Sequence, residues 1–254
     1  MTARLQSIYR YPVKGLSAAP MSSAVLSPGE TLPDDRRFAI AHGSTKFDPA
    51  APQWLPKSNF LMLAKDEKLA QLETLFDSED ETLTILRNGK QVARAKLSDI
   101  MGRTLIGQFF AGFMGAADRG MPRLVEAGGH SFSDSPEKVL SLINLASVAD
   151  LERVMREAVD PKRFRGNLYL EGLAPWVELT WVGRHLKIGE ARLEVTAPIE
   201  RCAATNVNPT TAERDMNIPL TLRKGFRHMH MGVYARVIEG GEIREGDGLE
   251  LLEG

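Results

Sequence analysis

Alternation of apolar and polar positions dominates both ends of the chain. Residues 3–11 (Ala-Arg-Leu-Gln-Ser-Ile-Tyr-Arg-Tyr) are rich in β-formers, and Pro12, which cannot donate to a ladder, limits the strand they predict. Residues 24–26 and 37–41 predict two more strands, separated by the turn-rich Ser27-Pro28-Gly29-Glu30 and Pro33-Asp34-Asp35. Lys14 and Gly15 fall in a loop, and Arg36 and Arg37 stand at the mouth of the 37–41 strand. The clearest local signal is 82–87, then Asn88-Gly89, then 90–95: Asn-Gly accepts positive φ at both central positions, which predicts a type I′ hairpin. Short strands are predicted at 123–126 and 139–143. Beyond residue 166 the pattern reads as strands at 167–171, 177–182 and 185–188, turned by Gly189-Glu190 into 191–197. A final hairpin pairs 232–238 with 249–252 around Gly240-Gly241.

A helical period appears in fewer places. Leu69, Leu72, Leu75 and Phe76 predict a short amphipathic helix over 66–76, and 97–114 predicts a second with a Gly-rich end. Ser147-Val148-Ala149-Asp150 has the form of a capping box opening a third, with Leu151, Val154, Met155 and Ala158 on its apolar side and Asp160-Pro161 ending it. Pro52 and Pro56 keep the segment around 54–57 irregular. Strands at both ends with helices as insertions predict an α+β, predominantly β chain of β-barrel-like domains, not a doubly wound sheet. A composition shift at 115–122, poor in β-formers, places the expected boundary between 1–115 and 116–254.

Composition narrows the partners. At 254 residues, 43% hydrophobic and 26% charged, the chain has enough apolar content for a substantial core. Thirty-two basic against thirty-three acidic residues give a net charge of -1, so no global field favours nucleic acid or an anionic membrane; a local basic cluster for a small anion is still allowed. The N-terminus lacks an apolar core of the kind a signal peptide needs, and no run approaches the roughly 18 apolar residues of a spanning helix. With one cysteine, the expectation is a cytoplasmic protein with no multi-cysteine metal site.

That cysteine, Cys202, lies in Pro-Ile-Glu-Arg-Cys-Ala-Ala-Thr-Asn-Val-Asn-Pro. A lone cysteine is often a small buried hydrophobe. Arg201 beside it, if the two side chains lie close, favours the alternative, a thiolate able to attack electrophiles or ligate a soft metal. His228 and His230, two apart, would share one face of a strand, which suits metal ligation; with no third ligand nearby, a surface or substrate-pocket role fits better.

Three fragments in order, Tyr11-Pro12-Val13-Lys14-Gly15, Phe164-Arg165-Gly166-Asn167-Leu168 and the Arg201-Cys202-x-x-Thr205-x-Val207-x-Pro209 stretch, resemble the MOSC family over nearly the whole chain. The likeness is to its two-part members, in which an N-terminal β-barrel-like domain precedes the MOSC domain, as in the amidoxime-reducing proteins. The resemblance implies a bound molybdenum cofactor (molybdenum-molybdopterin). By the resemblance, Lys14 with Gly15, and Arg37, grip the pterin's phosphate, for which charge-assisted donors are suited. It places Ser147 at a helix start facing the cofactor, and Arg165 and Asn167 on the pterin. Cys202 becomes the molybdenum ligand and catalytic residue, with Arg201 and Thr205 beside it at the cofactor. Gly166 stands where the family has proline, which loosens the loop, and Asn208 stands where the family commonly has aspartate.

Two functions follow from the resemblance. The first is an oxidoreductase that reduces N-hydroxylated or N-oxide small molecules. Because the sequence ends at Gly254 without a cysteine-rich extension, it would take electrons from an external protein of ferredoxin, flavoprotein or cytochrome type. The second is a carrier, in which Cys202 bears a persulfide sulfur or holds the cofactor for delivery. A cysteine hydrolase with a histidine base has no supporting nucleophile motif.

Overall fold

Period-two patterning decides most of the architecture. The computed structural model describes residues 2–115 and 120–252. In chain order the elements are β1 (Arg4–Arg10), β2 (Ala19–Met21), β3 (Ser23–Leu26), β4 (Phe38–Ala41), β5 (Leu72–Asp77), β6 (Thr82–Arg87), β7 (Lys90–Lys96), α1 (Ile100–Met114) and β8 (Arg123–Glu126). They continue with β9 (Leu140–Asn144), α2 (Leu145–Met155), β10 (Leu168–Glu171), β11 (His185–Ile188), β12 (Ala191–Glu200), α3 (Ile218–Phe226), β13 (His230–Glu239), β14 (Gly241–Arg244) and β15 (Leu249–Leu252). The chain is thus predominantly β with a few helices, and none of the described helices is long and apolar enough to cross a membrane.

Eight strands form one sheet in the order β15-β11-β12-β13-β9-β10-β1-β2. Neighbours run antiparallel except β9 and β10, whose parallel pairing requires a crossover, supplied by α2. β9 is buried along its whole length because both faces of the sheet are covered there. Leu140 and Leu142 join Leu5, Leu168, Leu193 and Val233 in one cluster. Ile143 points the other way, into a cluster with Val148 and Leu151 of α2 and Ile218 and Leu222 of α3. A separate three-stranded sheet, β5-β6-β7, packs with α1 around Phe38, Leu83, Ile85, Ile106 and Phe110.

The first strands do not stay with the N-terminal half. β1 and β2 complete the large sheet and β3 pairs with β14, so the division of the sequence near residue 115 is not a division of the sheet. Residues 116–119, inside the expected boundary segment, lie outside the described residues.

The hairpin at 82–96 forms as patterned, with Asn88 at φ 53° and Gly89 at φ 71°. Other expectations need correction. The 66–76 helix is a 3-10 turn, Glu67–Gln71, followed by β5: Leu72, Thr74 and Phe76 are buried on one face and Leu75 is exposed, a strand's alternation. The 177–182 strand is a 3-10 turn, Val177–Thr180, entered through Trp176 at φ 65°, and it delivers Glu178 into the interior. β13 and β15 form no hairpin with each other: β14 intervenes to pair with β3, and β15 pairs with β11. Ser147 does not cap α2, since Asn144 does so by accepting from the Ala146 amide at 3.0 Å. Helix α3, capped by Asn217 with Pro219 in its first turn, was not foreseen.

Candidate functional site

A cleft of about 340 Å³ opens where the N-terminal loops meet the ends of β9, β10, β12 and β13. Lys14, Gly15, Arg165, Asn167, Arg201, Cys202 and Thr205 all line it, as do Arg36, Lys57, Asp134, Ser141, Arg163, Glu200 and Tyr234. Six cations therefore face two carboxylates in a chain whose net charge is -1. Such a concentration of positive charge in a concave, partly dehydrated site suits a small anionic ligand.

Cys202 sits directly beyond β12, half-buried, at the start of a 3-10 turn over Ala203–Asn206. Thr205 closes that turn: its backbone amide and its hydroxyl both donate to the Cys202 carbonyl, at 3.1 and 2.9 Å. Arg201 acts as a clamp, donating from Nε to the Met231 carbonyl at 2.9 Å and from Nη1 to the Phe164 carbonyl at 2.8 Å. It ties the cysteine's strand to β13 and to the segment that carries Arg165. Burial pulls the Arg201 pKa down, partly opposed by Tyr234 and Tyr169. The Lys57 ammonium lies 3.3 Å from the Cys202 sulfur.

Also in the cleft lining, Lys14 donates to the Phe132 carbonyl at 2.8 Å and to the Asp134 carboxylate. Burial lowers the Lys14 pKa despite the pairing. Burial would raise that of Asp134, but Lys14 and Lys57 outweigh it and hold the carboxyl below its usual range. For Lys57, burial opposes the charge and is overcome by Asp134 and Cys202, so its pKa rises. Gly15 follows at φ 84°, where a Cβ would lie 3.0 Å from the Leu61 carbonyl oxygen; only glycine makes this turn without strain.

Arg165 and Arg36 both approach the ring of buried Tyr11, with guanidinium carbons 4.3 and 4.6 Å from its centroid. Arg36 is neutralised by Asp35 at 2.5 Å and donates to the Arg165 carbonyl at 2.9 Å. Arg165 makes one side-chain hydrogen bond, to the Leu16 carbonyl at 2.7 Å, and has no carboxylate partner among the described residues. Asn167 is used as a bracket: its Oδ1 accepts from the Ser141 amide and hydroxyl at 3.0 and 2.8 Å, and its Nδ2 donates to the Tyr9 carbonyl at 3.1 Å. β9, β10 and β1 are locked together at the cleft floor.

Two expected site residues are placed elsewhere. Arg37 is held by Asp34 at 3.1 Å, Glu126 at 2.6 Å and Glu81, outside the cleft; its neighbour Arg36, turned by φ 50°, lines the cleft instead. Ser147 is fully buried in the first turn of α2, where it donates to Glu178 at 2.8 Å and accepts from the Trp176 amide at 2.8 Å. The serines that the fold brings to the cleft are Ser133 and Ser141. Lys57 and Asp134 lie in irregular segments whose pattern carries no signal, and Arg36 differs from Arg37 only in a backbone turn that strand parity does not reveal. His228 and His230 stack at 5.7 Å between ring centroids, beside Trp176. Gly166 is packed rather than loose: a Cβ there would lie 2.3 Å from the Ile143 side chain, and its amide donates to the Tyr169 hydroxyl at 3.1 Å, a bond proline cannot make.

Residues 2–114 match the MOSC N-terminal beta barrel domain and residues 129–250 match the MOSC domain. The chain belongs to the MOSC family, in its two-part form. It is similar to the molybdenum cofactor sulfurase of Caenorhabditis briggsae, 28% identical over 244 residues that make up 91% of this chain and 33% of that protein. It is also similar to mitochondrial amidoxime-reducing component 1 of Mus musculus, 30% identical over 135 residues, 48% of this chain and 38% of that one. The chain thus spans about a third of the length of the curated sulfurase it matches. The crystal structure of the YUAD protein of Bacillus subtilis covers 99% of this chain and 96% of its own at 12% identity, with a TM-score of 0.44.

Proposed function

We propose that the cleft binds the molybdenum cofactor with Cys202 as the protein ligand of the metal, and that the chain reduces N-hydroxylated or N-oxide substrates. The observation that carries this reading is the donor set. A soft sulfur stands at one side of a cleft whose other walls supply cations, among them Arg165, which has no carboxylate partner among the described residues. A thiolate suits a high-valent soft-ligated metal, and guanidinium groups suit a phosphate. The residues present therefore fit such a group, with Arg36 in the phosphate-binding role that the family resemblance gives to Arg37.

When bound, the cofactor supplies two-electron chemistry at an N–O bond. The chain's own residues prepare the site. Thr205 fixes the turn that presents Cys202, Arg201 fixes the strand behind it, and the Ser141–Asn167 bracket sets the floor. Lys57 places a positive charge against the sulfur and at the cleft mouth, where it favours an electron-rich oxygen on the incoming substrate. The 254 residues hold one cysteine, too few for an iron–sulfur cluster, and in this reading electrons reach the cleft from an electron-transfer protein of ferredoxin, flavoprotein or cytochrome type.

The test is to purify the protein from a host that makes the cofactor, measure molybdenum and pterin per chain, and assay benzamidoxime reduction with a chemical electron donor. Metal near stoichiometric with turnover supports the reductase. A second reading, a sulfur or cofactor carrier, is favoured by the extent of the sulfurase similarity, 91% of the chain against 48% for the reductase relative. It expects sulfur on Cys202 without molybdenum or turnover.

A further inference from the structure

The C-terminal end of α3 carries Arg223, Lys224 and Arg227, all exposed. None of the three has an ion pair or side-chain hydrogen bond among the described residues, whereas Arg163 and Arg214, on the segments packed nearby, are both paired. Arg227 caps the helix at φ 64° and turns the chain straight toward β13. Around this turn the rings form a ladder. Trp176 lies 4.4 Å from Phe226 and 5.2 Å from His228 between centroids, and His228 stacks on His230 at 5.7 Å with 18° between planes. His230 in turn faces Glu200 across the β12–β13 pair, and Glu200 lines the cleft two residues before Cys202. His230 is three steps along the chain from Arg227, a reach of at most about 11 Å. The unpaired cations therefore stand at the end of a continuous run of ring contacts that leads to β12, the strand that ends just before Cys202.

We propose that this end of α3 is the docking surface for an acidic one-electron carrier protein that supplies the cleft. The inference rests on the reading of the chain as a reductase. Each turnover breaks one N–O bond: two electrons and two protons enter, and the N-reduced product and water leave, so a one-electron carrier docks twice. A surface used repeatedly and briefly is served by long-range attraction more than by a large apolar contact, and exposed unpaired cations give that attraction to an acidic partner. An anionic bilayer fits less well. No large hydrophobic side chain is exposed between 222 and 230, and Phe226 is tucked against Trp176, leaving nothing to insert among acyl chains.

The probe is a plant-type [2Fe–2S] ferredoxin, and the variant is the triple substitution Arg223→Glu, Lys224→Glu, Arg227→Glu in the cofactor-loaded protein. Binding is read by NMR titration of labelled ferredoxin at low salt, and turnover by benzamidoxime reduction driven either by reduced ferredoxin or by reduced methyl viologen. The wild type binds, its ferredoxin-driven rate falls steeply as salt is added, and the triple variant loses binding and about tenfold or more of that rate. Its viologen-driven rate stays within about twofold, because surface changes away from the site leave the chemistry alone. Unchanged ferredoxin binding by the variant overturns the proposal, as does a wild type that fails to bind at low salt or binds phosphatidylserine vesicles in place of ferredoxin. A wild type that binds ferredoxin through this face but reduces nothing with viologen upholds the docking surface and sinks the reductase reading alone.

Discussion

The Lys57 ammonium and the Cys202 sulfur stand 3.3 Å apart, although 145 residues separate them in the chain. A buried structural thiol has no use for such a neighbour, whereas a metal-ligating thiolate gains from one. Cys202→Ser exchanges a soft donor for a hard hydroxyl that stays protonated near neutral pH. Turnover is expected to vanish, while pterin content falls only in part because Lys14, Arg36 and Arg165 remain. Amidoxime reduction by the mutant at the wild-type rate per folded molecule would remove Cys202 from the chemistry.

Arg37 and Arg165 are expected to separate stability from ligand binding. Arg37 satisfies Asp34, Glu81 and Glu126 at once, so Arg37→Ala leaves three carboxylates facing one another. The cost is about 1–3 kcal/mol, read as a lower urea midpoint, with molybdenum content per folded chain unchanged. Arg165→Glu places a negative charge in the cleft and is expected to abolish molybdenum retention. A loss of cofactor in Arg37→Ala with retention in Arg165→Glu would invert the assignment.

The difference between these two arginines shows where sequence was legible. Arg165 lies in a fragment fixed by its own motif, as does Cys202, and both reach the cleft. Arg36 and Arg37 are adjacent cations, and which of them turns inward depends on the left-handed residues Asp34 and Arg36 ahead of β4. Most strands with one buried face were legible, because a period of two leaves few alternatives, but β5 was not. Over 66–76 the leucines follow the helical period, and a tertiary contact decides for the strand: Thr74 is buried because its amide and hydroxyl meet the Ser17 hydroxyl, each at 2.8 Å. Lys57 and Asp134 owe their place in the cleft to loop paths, which no local pattern encodes.

Gly166 offers a test of the cleft floor. Gly166→Ala drives a methyl group against Ile143 and is expected to cost about 1–3 kcal/mol through overpacking. Gly166→Pro adds the loss of the amide bond to the Tyr169 hydroxyl, so its melting temperature is expected below that of the alanine variant. In an Ile143→Ala background, which removes the Cγ1 atom that the methyl would meet, Gly166→Ala should cost less than in the wild type. A proline variant as stable as the wild type would show that the loop is free to move.

Glu178 makes stability depend on pH through a group outside the cleft. Its carboxylate is fully buried beneath α2, where it accepts from the Asn144 amide at 2.8 Å and from the Ser147 hydroxyl. Burial raises its pKa above the ordinary 4.5, and the hydrogen bonds from Asn144 and Ser147 only partly offset this. The folded state therefore holds the proton more tightly than the unfolded chain. Stability from this group is complete below about 4.5 and is lost as pH rises through the folded-state value. Glu178→Gln keeps the size and a donor-acceptor amide but cannot ionise. Relative to the wild type, the variant should be less favoured at pH 4 and gain steadily on it toward pH 8, measured as the difference between their urea midpoints across that range. A difference that stays flat, or that moves in the wild type's favour as pH rises, would mean that Glu178 is ionised in the folded protein at no cost.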